Sequence, residues 1–154
     1  MNRNSIEIRE LTSVDHRPVG EIADSLSEWF TATAREKIPV DLRFQPGLVA
    51  VLSGEVVGFV TFFVSEAVGH IGWLGVLPQH HRKGIGRMLV ARTIQQLTQA
   101  GVKQLRVDTL SDAVDYEPYE RTRRFYRALG FRELQRRKQD NPECPELLVL
   151  EREL

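Results

Sequence analysis

Apolar and polar residues alternate at the start of the chain. Ile6 and Ile8 fall on one side of residues 5–11 and Glu7 and Arg9 on the other, with apolar Leu11 at the end of the run, the period-two pattern of a half-exposed edge strand. The period then changes. Ile22, Leu26, Trp29 and Phe30 recur at helical spacing over residues 18–30, where Pro18 suits a first turn and Asp15 sits as N-cap. Residues 31–45 keep a mixed helical character as far as Pro39 and then lose it. Two β-rich runs follow, 48–52 and 56–64, separated by Ser53, Gly54 and Glu55, which reads as a hairpin with a tight turn. The second run is apolar on both faces and belongs in the middle of a sheet. A third strand over 70–77 carries Gly72 and Gly75, and a glycine inside a strand marks a bulge, a close backbone approach or a neighbouring side chain that needs the space.

Beyond Pro78 the pattern turns helical again. Ile85, Leu89, Val90, Ile94 and Leu97 share one arc and Arg92, Gln95, Gln96 and Gln99 the other, and Gly101 closes the helix. Leu105, Val107 and Thr109 then alternate in a strand that has to run parallel to its predecessor, because a helix of that length returns the chain to the same end. Polar residues 111–117 form a loop at the carboxyl end of the sheet, where ligand sites of α/β folds collect. Pro118 opens a further helix with Thr122, Phe125, Tyr126 and Leu129 on one stripe and Gly130 at its end. Residues 131–137 and 146–153 read as a closing antiparallel hairpin around the turn-rich 139–145. The pattern as a whole predicts a mixed α/β domain, a mostly antiparallel sheet with one parallel strand pair and flanking helices.

Composition narrows the class. At 154 residues, with no repeat and no Pro-, Gly- or Ser-rich linker, residues 1–154 are expected to form one domain, able to bury about two-thirds of its unfolded surface. Zero formal net charge gives no general attraction to nucleic acid or to a membrane surface, so neither is expected as a partner. A single thiol, Cys144, cannot form an intramolecular disulfide, and residues 1–10 are polar with no hydrophobic segment behind them. A cytoplasmic protein without signal peptide or transmembrane helix is the expectation.

Candidate chemistry concentrates in residues 82–87, Arg-Lys-Gly-Ile-Gly-Arg. The first backbone N–H groups of a helix lack intrahelical partners and lie at the positive end of its dipole. Gly84 and Gly86 let an anion approach them, while Arg82, Lys83 and Arg87 add charge, so a diphosphate-bearing ligand suits the loop. Two nucleotide motifs fail on spacing: Gly86 is followed by Arg87 and Met88 rather than Lys-Ser/Thr, and the third glycine of a dinucleotide fingerprint would fall on Leu89.

The run Val-Leu-Pro-Gln-His-His-Arg-Lys-Gly-Ile-Gly-Arg-Met-Leu resembles the pyrophosphate-binding motif of the GNAT superfamily of N-acyltransferases, Arg/Gln-x-x-Gly-x-Gly/Ala. Gly84 and Gly86 match its small positions, and His81 stands where Arg or Gln is usual. A second block, Thr-Arg-Arg-Phe-Tyr-Arg-Ala-Leu-Gly-Phe, resembles the Thr-Arg-x-Phe-Tyr…Gly-Phe subset of the family. The resemblance implies a GNAT-like domain whose parallel strand pair splays, with acetyl-CoA (coenzyme A) as cosubstrate and no metal. It implies cofactor contacts from Leu74, Gly75 and Val76 along the splayed strand and from His81, Arg82, Lys83, Gly84, Ile85, Gly86 and Arg87 in the loop. Tyr126, four residues before Gly130, matches the tyrosine placed beside the cofactor sulfur, and a backbone N–H near Gly75 or Val76 is the expected oxyanion donor.

For the base, His70 stands at the position of a family glutamate, with Asp108 and Asp112 as alternatives. The early helical region overhangs the acceptor site in such proteins, which makes Trp29, Phe30, Arg35, Glu36, Asp41 and Arg43 candidates for substrate contact, unless Trp29 and Phe30 are core. Tyr116, Glu117 and Tyr119 are candidates to line the acceptor pocket, while Glu120 and Arg124 have the spacing of a helical ion pair. His80 and His81 lack the companions of a metal site. The implied activity is acetyl or short-acyl transfer from acetyl-CoA to a primary amine, of a small molecule or a protein, by direct attack in a ternary complex. A non-catalytic acyl-CoA-binding or regulatory module on the same fold is the alternative, and a nucleic-acid-binding protein would need a wider basic surface. Homodimers are frequent in the family, although no residue here demands one.

Overall fold

The computed structural model describes residues 5–154, so the first four residues of the polar start lie outside what is described. Strands β1 (Ile6–Glu10), β2 (Gly47–Leu52), β3 (Glu55–Ser65), β4 (Val68–Val76), β5 (Gln104–Leu110), β6 (Arg132–Lys138) and β7 (Glu146–Glu153) form one seven-stranded sheet in the order β1-β2-β3-β4-β5-β7-β6. Every pairing is antiparallel except β4 with β5. The β2–β3 hairpin turns through Ser53 and Gly54, both at positive φ (52° and 81°), which matches the right-handed twist of the flanking strands. Phe59 and Val60 of β3 are both fully buried, as its apolar faces require.

Helices cover the two faces. On one side α3 (Ile85–Gln99) and α4 (Glu117–Ala128) pack on Leu48, Val60, Phe62, Leu105, Leu148 and Leu150; on the other α1 (His16–Ser25) and α2 (Ala32–Asp41) pack on Val49 and Phe59. The helix expected over 18–30 is shorter. It stops at Ser25, the N–H groups of Trp29 and Phe30 both bond the carbonyl of Leu26, and Thr31 caps a separate helix by accepting from Ala34 N at 3.1 Å. Asp15 occupies the N-cap position of α1 without capping it. Its carboxylate instead takes two bonds from Arg9 (2.8 and 2.9 Å) and one from Thr12 N, a stronger charge-assisted arrangement that ties β1 to the helix.

The parallel pair is registered only at Gly69–Leu105 and His70–Arg106, and from there the strands part. The β4 bulge falls at Gly72–Trp73, where Val60 faces Leu74 but Phe62 faces Ile71; Gly75, expected near the bulge, pairs regularly with Phe59. Thr61 explains the position. Its hydroxyl accepts from Trp73 N at 2.9 Å in place of a ladder bond and donates to Gln45 Oε1 at 2.8 Å. A Cβ on Gly72 would stand 2.2 Å from that same Gln45 oxygen, so a side chain there would have to displace Gln45 and disturb its bond with Thr61.

Candidate active site

The divergence of β4 and β5 opens a cleft of about 1030 Å³ that runs from the 80–87 loop, past Leu74, Gly75 and Val76, to Tyr126. At one end α3 begins. Gly84 caps it in the left-handed region (φ +77°), and the first bond to close the helix is Met88 N to Gly84 O at 3.0 Å. The N–H groups of Ile85, Gly86 and Arg87 therefore have no i−4 carbonyl within the helix, and all three residues line the cleft together with Arg82. Gly86 serves packing as well: a Cβ there would meet the Phe125 ring at 3.2 Å. This cradle suits a diphosphate.

Two of the expected loop residues have side chains bonded within the loop region, and of the two His81 still lines the cleft. His81 Nε2 donates to the carbonyl of Val76 at 2.7 Å, which fixes its tautomer and anchors the loop to the end of β4. Lys83 turns to His80, its ammonium donating to Nδ1 at 3.0 Å, and does not line the cleft. The small side of Gly75 is filled by neighbours, since a Cβ would stand 2.9 Å from both Leu26 and Phe59; its backbone lines the cleft.

At the other end Tyr126 is 4 % exposed, lines the cleft and makes no hydrogen bond through its hydroxyl among the described residues. Burial pushes its phenol well above the ordinary tyrosine range, so it is a proton donor at any physiological pH. Thr109 of β5, on the same wall, holds a buried Oγ1 without a partner among the described residues. Neither an unpaired hydroxyl nor its depth is visible in a sequence. Arg123 was also missed. It is 6 % exposed and donates to the carbonyl of Leu110 at 2.8 Å, holding α4 against the end of β5.

The connection between α1 and α2 roofs the cleft. Trp29 donates its indole N–H to the carbonyl of Pro118 (3.0 Å), meets His81 edge-on at 5.7 Å and carries the Arg121 guanidinium over its ring at 5.2 Å. Tyr116 and Tyr119 line the cleft, but their hydroxyls donate to the carbonyls of Glu28 (2.6 Å) and Trp29 (2.5 Å); burial raises the Tyr119 phenol to about 12. Phe30 packs in the core, 8 % exposed and edge-on to Trp73, and also lines the cleft. Glu120 and Arg124 do form their ion pair, at 2.6 Å.

His70 does not line the large cleft. It stacks on Phe63 in a smaller pocket of about 200 Å³, which also contains Asp41, Gln45 and Arg106 and shares Ile71, Gly72, Trp73 and Asp108 with the cleft. Burial holds its imidazole below the ordinary histidine range, opposed by Asp108 and reinforced by Arg106, so it is neutral at pH 7. Asp112 is committed to Arg136 at 2.6 Å, which keeps its carboxyl below the usual range. Arg35, Glu36 and Arg43 line neither cavity. Among the described residues no helix is long and apolar enough to cross a membrane, and no group of His, Cys, Asp and Glu is placed to hold a metal.

Comparison with known proteins agrees with this geometry. The sequence model of the Acetyltransferase (GNAT) family matches residues 7–131. A GNAT-family structure from Desulfovibrio desulfuricans superposes with a TM-score of 0.86 at 18% identity, over 97% of this chain and 99% of the other. A GNAT family acetyltransferase from Elizabethkingia anophelis, with acetyl-CoA bound, gives 0.77 at 21% identity over 97% and 98%. The ribosomal-protein-S18-alanine N-acetyltransferase of Escherichia coli gives 0.78 at 17% identity over 97% and 94%. No curated protein sequence matches the chain significantly.

Proposed function

The chain belongs to the GNAT acetyltransferase family, which uses acetyl-CoA as cosubstrate, and on that premise we propose that residues 1–154 act as one domain transferring an acetyl or short acyl group to a primary amine, by direct attack in a ternary complex. One observation carries the reading: a single continuous cleft joins an anion cradle at the start of α3 to a buried, protonated and unpartnered tyrosine.

The backbone N–H groups of Ile85, Gly86 and Arg87, with the Arg82 and Arg87 side chains, hold the diphosphate. The stretch of β4 from Leu74 to Val76, paired with β3 on one side and parted from β5 on the other, offers backbone groups to the pantetheine arm, and one of its N–H groups, near Gly75 or Val76, donates to the developing oxyanion. As the amine nitrogen forms its bond to the acyl carbon and the C–S bond breaks, Tyr126 gives its proton to the departing sulfur. The proton lost by the amine passes into the smaller pocket, where the neutral imidazole of His70 accepts it through water, with Asp108 at the junction of the two cavities as the nearer carboxylate. Trp29, Phe30, Tyr116 and Tyr119 shape the site, through ring surface and by holding its roof, rather than through free polar groups. Both small amines and protein amines fit this chemistry, the latter being what the S18 alanine acetyltransferase acts on.

Calorimetry with acetyl-CoA is the test. Binding by the wild type that is lost when Gly84 and Gly86 are both replaced by Asp supports the cradle, and acyl transfer lost in Tyr126→Phe with acetyl-CoA binding retained supports the enzyme. Binding without transfer to any amine would favour the regulatory module.

A further inference from the structure

The smaller pocket holds one carboxylate, Asp41, to which the proposed reaction gives no role. Asp41 and Asp108 both line it, and neither makes an ion pair among the described residues. Arg106, the cation beside them, is spent on Glu151 at 2.7 Å. His70 adds no charge at neutral pH. A concave site with two carboxylates outside any ion pair therefore adjoins the reaction cleft, sharing Gly72, Trp73 and Asp108 with it at the β4 bulge.

The two carboxylates are placed differently. Asp108 stands where both cavities meet, whereas Asp41 lines the smaller pocket alone. Asp41 is also held in place: its Oδ2 accepts the Trp73 indole N–H at 2.8 Å, a bond that fixes the carboxylate against an aromatic wall. A carboxylate beside an amine favours its ammonium form, which cannot attack a thioester. Asp41, away from the junction with the cleft, thus suits a cation that stays charged, separate from the nitrogen that reacts, while Asp108 at the junction is placed to take up the proton that nitrogen loses. The volume, about 200 Å³, is somewhat more than an engineered cavity of about 150 Å³ that admits benzene, room for a short alkyl arm and its terminal ammonium.

We infer that the smaller pocket is the acceptor subsite for an aliphatic diamine, holding one amino group as an ammonium against Asp41 while the other, neutral, is presented past Asp108 to the cleft. The inference rests on the acetyltransferase reading and names the class of its acceptor. Zwitterionic and anionic amines are disfavoured, because their carboxylate would face Asp41. A plain monoamine of the same length fills the arm but leaves the carboxylate unpaired, and a charge-assisted bond of this kind accounts for about tenfold or more in affinity.

The test is calorimetry of 1,4-diaminobutane, butylamine and 4-aminobutanoate on the protein saturated with coenzyme A, repeated without it, with acetyl-CoA titrated in parallel. The expected result is at least about tenfold tighter binding of the diamine than of butylamine, 4-aminobutanoate weakest, and the same order in kcat/KM for acetyl transfer. Asp41→Asn, whose amide oxygen still accepts from Trp73, should reduce the diamine to the level of butylamine. Equal affinities in the wild type, or a preference that survives in the Asp41→Asn/Asp108→Asn double variant, would overturn the inference. Acetyl-CoA bound with no diamine preference overturns only this subsite, whereas failure to bind acetyl-CoA counts against the acetyltransferase reading, and the titration without coenzyme A still decides the subsite.

Discussion

Trp29 donates its indole N–H to the carbonyl oxygen of Pro118, 3.0 Å away and 89 positions along the chain, and so ties the α1–α2 connection to the first turn of α4. Trp29 lines the cleft between β4 and β5, and Tyr116 and Tyr119 add two more bonds to the same connection. Trp29→Phe keeps the ring against His81 and Arg121 but deletes the donor. The expected result is a loss of about 1 kcal/mol of stability, faster amide exchange over residues 26–31 read by mass spectrometry, and weaker acetyl-CoA binding. Unchanged exchange in that segment would show that the tie does not order the roof.

The two glycines of the cradle should fail for different reasons. Gly84 has open space around it but needs φ +77°, so Gly84→Ala costs about 1–2 kcal/mol through the backbone alone. Gly86 has ordinary helical geometry, yet a Cβ would press on Phe125 at 3.2 Å. Gly86→Ala should therefore be rescued in part by Phe125→Leu, and Gly84→Ala should not. Thermal melts of the four variants separate the two causes.

Tyr126→Phe should lower kcat by about 10²-fold or more while leaving the KM for acetyl-CoA and the melting temperature near those of the wild type, because its hydroxyl has no partner among the described residues. Its phenol pKa is raised by burial, so the protonated form persists as pH increases through the ordinary tyrosine range. The wild-type rate should show no loss below about pH 10 that is assignable to this group. A decline near pH 8 abolished in Tyr126→Phe would refute the upward shift of its phenol, and a rate unchanged in Tyr126→Phe would refute its role as the acid.

His70, as the proposed proton acceptor, should set the opposite limb. Its pKa is lowered, so the neutral form needed to accept a proton is lost only as pH falls through a value under the usual 6.5. The acidic limb of kcat should therefore lie below pH 6.5, and His70→Gln should flatten it with a drop of about tenfold or more in kcat. An acidic limb unmoved by His70→Gln would pass the role to Asp108.

Asp15 provides a stability test remote from the chemistry. The side-chain bonds from Arg9 hold its carboxyl below the usual aspartate range, against the opposing effect of burial. A lowered folded-state pKa contributes stability that is complete above the unfolded-state value and is lost as pH falls through the folded one. Asp15→Asn should cost about 2 kcal/mol near neutrality, and the difference from the wild type should shrink in urea melts taken progressively below about pH 4.

What the sequence determined by itself was whatever depends on short-range periodicity and on local backbone chemistry. Alternation in Ile6 and Ile8, the double-faced apolar run of β3, the arc from Ile85 to Leu97 and the glycines at 84, 101 and 130 each report a local preference, and the strands, helices and helix ends stand where those residues put them. The phosphate-type cradle was legible for the same reason, since a helix start needs only consecutive residues. Tertiary structure decided what depends on partners distant in the chain. The α1–α2 break is invisible in the spacing of Leu26, Trp29 and Phe30, because those side chains face the same core whether or not the backbone stays helical. The bulge moved from Gly75 to Gly72 because Thr61 and Gln45 arrive from other elements to replace a ladder bond. His81 turned its ring nitrogen to Val76 while still lining the cleft, Lys83 left the cleft for His80, and Asp41 joined Asp108 around one pocket, through hydrogen bonds and sheet pairings that no local pattern encodes. Period and propensity act over a few residues, while the direction in which a side chain's polar atom points is set by whichever donor or acceptor the fold brings within about 3 Å.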